Sequence, residues 1–425
     1  MMFGSTLGIK IAKNTLYQLV GKVVSMSITV LIVLIVTRFY GREGYGSFSL
    51  MQTWPALFYV VVDFGINAVA ARELSKDWSK VSEYFGNILL IRLVFSFVVM
   101  LLLILSLRLF PYSSWLKSGI VLSLSLILTQ ALFSCTNIIF QVKLRYDLSV
   151  LGNLLGYLII LILSLYLSFI RADVRLVSFS YVIGGLVTFI INMIFVGRMG
   201  VKIKLKYNKD VIRYLILSSL PLGLMFVFSQ INFKADSILL SVLKLPGRFG
   251  LSNIESVGVY SLPYKVFEVA LVVPTFLMNS VFPVMVNKME KSADDLKILF
   301  SKALKILVFT AVTASIVGII FAPWIVGVLG GSEFSQSVLV LRILFSGLVV
   351  FYMTQPLAWL LVTMDSQKFL PYIYLISAFF NVSANYLFIP KYSFLGSSVI
   401  TIVSELLILV MLLFAAQKAW RVKYA

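Results

Sequence analysis

The sequence predicts an all-α integral membrane protein of about twelve transmembrane helices in two six-helix lobes. Three observations carry that expectation. The 425 residues are 60% hydrophobic and only 12% charged, with a mean hydropathy of +1.01, whereas soluble proteins keep about 25% charged residues. Apolar runs long enough to cross a ~30 Å hydrocarbon core at ~1.5 Å per residue recur along the whole chain. The basic residues, finally, gather in alternate short connections between those runs.

The elements follow in order. Met1 to Asn14 is a short amphipathic lead with Lys10 and Lys13. No small-x-small cleavage site follows the first apolar run, so the lead reads as a retained helix rather than a signal peptide. The expected spans are Leu16–Thr37, Gly46–Ala70, Gly86–Phe110, Leu116–Gln141, Leu148–Ile170 and Leu176–Gly197 in the first half. The second half supplies Tyr214–Leu243, Val257–Val286, Leu304–Leu329, Val338–Thr363, Phe369–Ile389 and Phe394–Ala416. Connections between them are too short for a soluble domain. Pro55, Pro221, Pro263, Pro274 and Pro356 are expected to kink or break their helices. Trp54, Trp115, Trp324, Trp359 and Trp420 fall near span ends, as an interfacial belt would, and Trp78 lies in a connection.

Orientation follows from loop charge. Placing the N-terminus inside puts on one side Lys10 and Lys13, the Arg72–Lys80 connection, Lys143 and Arg145, and the 198–213 connection. The Lys288–Lys305 connection, Lys368, Lys418, Arg421 and Lys423 share that side. The opposite connections, with Arg38, Arg42, Arg108, Lys117, Arg171, Arg175, Lys244, Arg248 and Lys391, hold fewer than half as many cations. The asymmetry predicts a multi-pass protein of the cytoplasmic (inner) membrane with both termini cytoplasmic. It also accounts for the net charge of +19 without nucleic acid, which needs cations clustered on a soluble face. The sequence has no histidine and a single cysteine, Cys135. That excludes a disulfide within the chain, thiolate metal sites and histidine-based triads or proton relays.

The longest basic connection divides the chain into an N-terminal lobe (1–197), a linker (198–213) and a C-terminal lobe (214–425). An internal echo accompanies this division: Gly46-Ser47-Phe48-Ser49-Leu50 opens span two and Gly258-Val259-Tyr260-Ser261-Leu262 opens span eight. Six spans separate the copies, so the halves would be parallel repeats about a pseudo-two-fold axis along the membrane normal. The stretch from Ser229 to Pro283 is the most charged apolar region, with Lys234, Asp236, Lys265 and Glu268. An ionisable group at bilayer depth costs about 2.5–3.5 kcal/mol, so these groups are expected to line the path of a charged substrate.

Three motifs carry a resemblance. Thr37-Arg38-Phe39-Tyr40-Gly41-Arg42-Glu43-Gly44-Tyr45-Gly46 resembles the Arg-x-x-Gly…Tyr-Gly signature after the first helix of polysaccharide and O-antigen flippases. Asp63-Phe64-Gly65-Ile66 with Ala71-Arg72-Glu73 is similar to their second-helix ending. Asp236, then Val257-Gly258-Val259-Tyr260, Lys265 and Pro283, resembles their seventh and eighth helices. The likeness extends over essentially the whole chain in span order. It identifies the chain as similar to the polysaccharide transporter family of the multidrug, oligosaccharidyl-lipid and polysaccharide exporter superfamily. The resemblance implies two lobes in a V around a central cationic cavity. It also implies a polyprenyl-pyrophosphate-linked oligosaccharide as cargo, moved by alternating access for cell-surface polysaccharide biosynthesis.

Candidate residues are assigned on that basis. Lys22 and Arg92 lie near the cytoplasmic ends of spans one and three; Lys234, Lys265 and Arg342 lie toward the outer third of spans seven, eight and ten. They would form an inner and an outer cationic layer for the pyrophosphate, which takes several Lys or Arg donors. The competing reading is that they snorkel to the interfaces. Tyr260, Tyr264 and Glu268 step by four along one face and could offer hydroxyls to sugars. Lys265 and Glu268, three apart, can pair directly. Lys234 and Asp236 sit on different faces of span seven. Asp63, Asp236, Glu268 and Glu405 are candidates for ion pairing or for coupling to H⁺ or Na⁺, with helix packing as the plainer alternative and favoured for Asp63. No cofactor or metal is expected. Expected partners are the lipid-linked oligosaccharide, membrane lipids, and a glycan polymerase or other assembly protein. Two other functions stay open: an ion-coupled multidrug or small-cation exporter, which would favour a carboxylate-rich cavity, and a membrane glycan polymerase or transferase, which would need an acidic loop constellation.

Overall fold

The computed structural model describes residues 6–201, 207–289 and 292–424. Lys202, Lys204 and Lys206 of the basic connection, and Lys291, lie outside the described residues. The chain is all-helical, with no strand among the described residues. The helices are α1 (Thr6–Asp63), α2 (Ile66–Lys76), α3 (Val81–Ser106), α4 (Ser114–Val142), α5 (Tyr146–Phe169), α6 (Val174–Arg198) and α7 (Lys209–Val242). They continue as α8 (Asn253–Ala270), α9 (Val272–Met289), α10 (Ala293–Gly330), α11 (Ser337–Ser346), α12 (Leu348–Thr363) and α13 (Leu370–Tyr424).

Among the described residues nine helical segments are long and apolar enough to cross a membrane, and α11 with α12, bent by 43°, makes a tenth. Two of the nine have double length. α1 has 58 residues and α13 has 55; either, unbroken, would span about 80 Å or more, over twice the hydrocarbon core. Each is interrupted by one non-helical residue, Gly41 (φ 65°, ψ −165°) and Ser393 (φ 49°, ψ −138°). Each therefore supplies two spans, and the chain is a multi-pass membrane protein with the expected helix complement.

Two expected spans are internally broken. The second stops at Asp63, where Phe64 (φ 42°) and Gly65 (φ 70°) turn left-handed before α2 restarts. The eighth divides into α8 and α9. Pro274, in the first turn of α9, has no N–H for the carbonyl of Ala270, and the Tyr352 hydroxyl of α12 donates to that carbonyl at 2.7 Å instead. Pro263 leaves the Val259 carbonyl free in the same way, and the Ser337 hydroxyl of α11 donates to it at 2.7 Å. α8 runs on through Pro263 because its orphan acceptor is satisfied. Trp54 does not join the interfacial belt: it is buried, with its ring against Phe110 at 4.8 Å.

Packing groups the chain into two compact units. One contains the described residues up to Tyr40 together with Ser47–Val227; the other contains Gly41–Gly46 and the described residues from Phe228 onward. The division falls inside α7 rather than in the 198–213 connection. The reason is that the first half of α7 is tied to α2 and α3. Asn208, which caps α7 through the Asp210 N–H, also donates to Glu83 at 2.7 Å. Tyr214 donates to Glu73 at 3.0 Å, and Gly223 lies against the Phe64 ring. Elsewhere in the first unit, Gly152 and Gly156 of α5 meet Asn192 and Thr188 of α6 at distances that leave no room for a Cβ. Such small-residue seams let membrane helices approach closely.

The second unit contains the echoed glycines. A Cβ on Gly46 would lie 2.0 Å from the carbonyl oxygen of Ile254, and one on Gly258 would lie 2.4 Å from that of Arg42. Each glycine thus faces the carbonyl four residues before the other. The repeated motif marks one reciprocal backbone crossing.

Candidate functional site

The charged groups of α7 and α8 converge in the second unit. Asn253 first closes the hairpin, its side chain donating to the carbonyls of Leu240 (2.8 Å) in the last turn of α7 and of Leu243 (2.7 Å) just after it. Ser252 and Glu255 then start α8 with a capping box. Two turns after the capping residues the helix buries Tyr260 and Tyr264, and one turn later it carries Lys265 and Glu268. Glu268 accepts from Lys234 of α7 at 2.7 Å and from Lys265 at 2.6 Å. Lys234 Nζ also lies 5.8 Å from the Tyr264 ring centroid. Side-chain exposures of 18% for Lys234, 26% for Glu268 and 37% for Lys265 leave the group accessible from one side. Two ammonium groups share one carboxylate, so the cluster keeps a net positive charge. It can hold an anion without first losing its internal pairing.

Asp236 goes elsewhere. It is wholly buried, accepts from the Tyr260 hydroxyl and from the Ser237 N–H (2.9 Å), and has Thr401 of α13 at 3.4 Å. Lys234 and Asp236 therefore take different partners, as their different helix faces require. A buried polar seam continues beside them. Ser377 donates to Asn232 at 3.0 Å, Asn381 donates to Ser404 at 3.1 Å, and Asn385 donates to the Asn381 carbonyl at 3.0 Å. Asn385 Oδ1 and Ser397 Oγ are buried without a partner. Glu405 accepts from the Thr354 hydroxyl of α12. The sequence reading missed Ser377, Asn381, Asn385, Thr401 and Ser404, although 377, 381 and 385 step by four along one face of an otherwise apolar span.

One expectation is corrected. Tyr260 and Tyr264 do not offer hydroxyls to a sugar. Both rings are buried, the Tyr260 hydroxyl is engaged by Asp236, and that of Tyr264 is enclosed without a partner.

In the first unit, Arg92 of α3 does not snorkel. Its guanidinium is 0% exposed and pairs with Asp63 at 2.5 Å. It also donates to Asn67 (2.8 Å), the Ala131 carbonyl (3.1 Å) and Cys135 Sγ (3.3 Å). The break at Phe64 and Gly65 makes this possible, since it brings Asp63 of α1 and Asn67 of α2 to one guanidinium. Lys22 lies on an exposed face of α1. Arg342 is exposed on α11, donating to the Ile319 carbonyl at 3.3 Å.

The chain as a whole has counterparts among known proteins. The family model described as "Polysaccharide biosynthesis protein" matches residues 11–289. The chain belongs to that family. A second model, MatE, matches residues 248–387. The chain is similar to the "Capsular polysaccharide biosynthesis protein CapF" of Staphylococcus aureus, 24% identical over 94% of this chain and 97% of that one. Solved structures share the fold of this family member. The lipid II flippase MurJ, in an inward closed conformation, superposes with a TM-score of 0.77 at 14% identity over 96% of this chain and 89% of that one. An inward-facing multidrug resistance MATE family transporter of the MOP superfamily gives 0.76 at 11% identity, covering 94% and 96%.

Proposed function

We propose that the protein is a flippase that moves a polyprenyl-pyrophosphate-linked oligosaccharide across the cytoplasmic membrane by alternating access, with both termini in the cytoplasm and no chemical step. The observation that carries this reading is the Lys234–Glu268–Lys265 cluster, which is partly exposed and net positive. A pyrophosphate needs several cationic donors, and a drug cation would be repelled by the same group. Membership of the polysaccharide biosynthesis family supports a glycan-linked cargo. H⁺ or Na⁺ is the coupling ion in this reading, with Asp236 and Glu405 as the carboxylates for it. The natural neighbours of such a protein are membrane lipids and the polymerase or other assembly proteins that use the glycan.

The test is flipping of a fluorescent lipid-linked oligosaccharide in proteoliposomes. The wild type is expected to flip it, and Lys234→Gln/Lys265→Gln to lose most of the rate. An unchanged rate in the double variant removes the cationic-site reading. The MatE match over residues 248–387 and the buried Asp236 favour an ion-coupled exporter as the second reading. Efflux of a cationic dye without any glycan flipping would select it.

A further inference from the structure

The lysine cluster leaves the next helix of the second unit unused. Only Leu271 separates α9 from α8, and the polar residues of α9 fall in a pattern. Thr275, Asn279, Pro283 and Asn287 step by four, so they follow one edge of the helix over about 18 Å. Helix α12 borders that edge. The Gln355 side chain donates to the Thr275 hydroxyl at 2.9 Å, and the Phe282 ring lies 4.6 Å from that of Trp359. Met278 and Met285 are buried on the same side. The rest of α9 is exposed in two directions. Val273 and Val284 are 48% and 44% exposed and lie nearly in line, as residues facing lipid would. Asn279 is exposed about 120–140° away from both.

A polar group that faces hydrocarbon needs its partner on its own helix. Ser280, near the valine face, has one: its hydroxyl donates to the Phe276 carbonyl at 3.2 Å. The Asn279 side chain makes no hydrogen bond among the described residues. Its main-chain carbonyl is stranded as well, because Pro283 has no N–H to give it. At Pro263 and Pro274 the stranded carbonyls take hydroxyls from α11 and α12. No side chain does so for Asn279 among the described residues. An amide and a carbonyl are thus left open on an exposed edge that starts one turn beyond the end of α8. Both are uncharged, and an amide donates and accepts at once, as a sugar hydroxyl does. From this placement we propose that the 275–287 edge of α9, with Gln355 beside it, is a subsite for the sugars of the cargo. This rests on the flippase reading above, which assigns the adjoining pyrophosphate to Lys234 and Lys265. The pyrophosphate prefers the ammonium groups and the polyprenyl chain prefers the valine face; the neutral, hydroxyl-rich part of the same molecule matches the amide edge.

The experiment places single cysteines, Asn279→Cys or Val284→Cys, in a Cys135→Ser background and measures their reaction with a charged, water-soluble thiol reagent in proteoliposomes. Both positions are exposed, so both substitutions are compatible with the packing of α9. Only a thiolate in contact with water reacts, so the cysteine at 279 is expected to react about tenfold faster than the one at 284. The fluorescent lipid-linked oligosaccharide should slow the reaction at 279, and polyprenyl pyrophosphate without sugars should not. Equal rates at the two positions overturn the subsite, since the edge would then face lipid. Equal protection by the sugarless lipid overturns it too, since the edge would then hold the pyrophosphate or the chain. Absence of protection by the oligosaccharide overturns it whether or not the protein flips that lipid. Protection specific to the oligosaccharide, in a protein that flips none of it, supports the subsite and removes the flippase reading alone.

Discussion

Replacing Asp63 with Asn should destabilise the first unit far more than the loss of one surface charge. Arg92 is fully buried and its strongest partner is the Asp63 carboxylate at 2.5 Å. Removing one member of a buried pair costs about 3–5 kcal/mol, because the other charge is left uncompensated. Asp63 is 22% exposed, and Arg92 keeps Asn67, the Ala131 carbonyl and Cys135 as partners. Both facts favour the lower end, about 3 kcal/mol. For a unit of roughly 200 residues this corresponds to a fall in Tm of about 6–12 °C. Thermal unfolding of the purified protein in detergent, followed by tryptophan fluorescence, measures it directly. Asp63→Asn/Arg92→Met should recover most of the loss, since removing both charges leaves nothing unpaired. A single variant within about 2 °C of wild type, or a double variant less stable than the single one, would refute the reasoning.

Other outcomes follow from the second unit. Glu268→Gln leaves Lys234 and Lys265 without their shared carboxylate, so flipping kinetics should show a KM for the proposed pyrophosphate-linked cargo lowered about tenfold and a slower turnover; Lys234→Gln should raise KM by a similar factor. Equal KM values in all three proteins would show that the cluster does not touch the cargo. Asp236→Asn should abolish the response of proteoliposome transport to an imposed pH or Na⁺ gradient; a response as large as that of the wild type removes Asp236 from coupling. Gly46→Ala and Gly258→Ala should each cost about 1–3 kcal/mol, because the added methyl meets backbone carbonyls at 2.0 and 2.4 Å. Gly247→Ala, with nothing within 4 Å, is the neutral control, and an equal Tm for all three alanine variants contradicts the crossing. Tyr352→Phe should cost about 1–2 kcal/mol by stranding the Ala270 carbonyl that Pro274 leaves free.

Helix number and kind were legible because they depend on length, hydropathy and charge, which are local. The i,i+3 pairing of Lys265 with Glu268 was legible for the same reason. What could not be read was the choice among neighbours brought together by tertiary packing. Helical spacing separated Lys234 from Asp236 but could not say that one would reach Glu268 and the other Tyr260. The Tyr260–Tyr264–Glu268 stripe shows the limit of the argument: a shared face does not say whether that face meets water, cargo or another helix. The break after Asp63 was not read, since the second span was expected to run unbroken to Ala70. Its consequence, one guanidinium shared by Asp63 and Asn67, depends on α3, which the local sequence does not contain.

The prolines and glycines of this chain answer opposite problems of a backbone in lipid. A proline removes a donor, and the stranded carbonyl has no water to turn to. At Pro263 and Pro274 the neighbouring helices α11 and α12 supply a hydroxyl each, from Ser337 and Tyr352, so the α8–α9 region is ordered by packing as much as by its own ladder. A glycine removes a side chain and lets two ladders touch. At Gly46 and Gly258 that contact is reciprocal, and Arg42 stands beside it with Glu255, itself part of the first turn of α8. The lysine cluster therefore sits on a helix fixed at its start by the capping box and the segment carrying Arg42, and along its length by borrowed hydroxyls. A change at either place should be felt at Lys265 and Glu268 through the position of α8, without any substitution of the cluster itself.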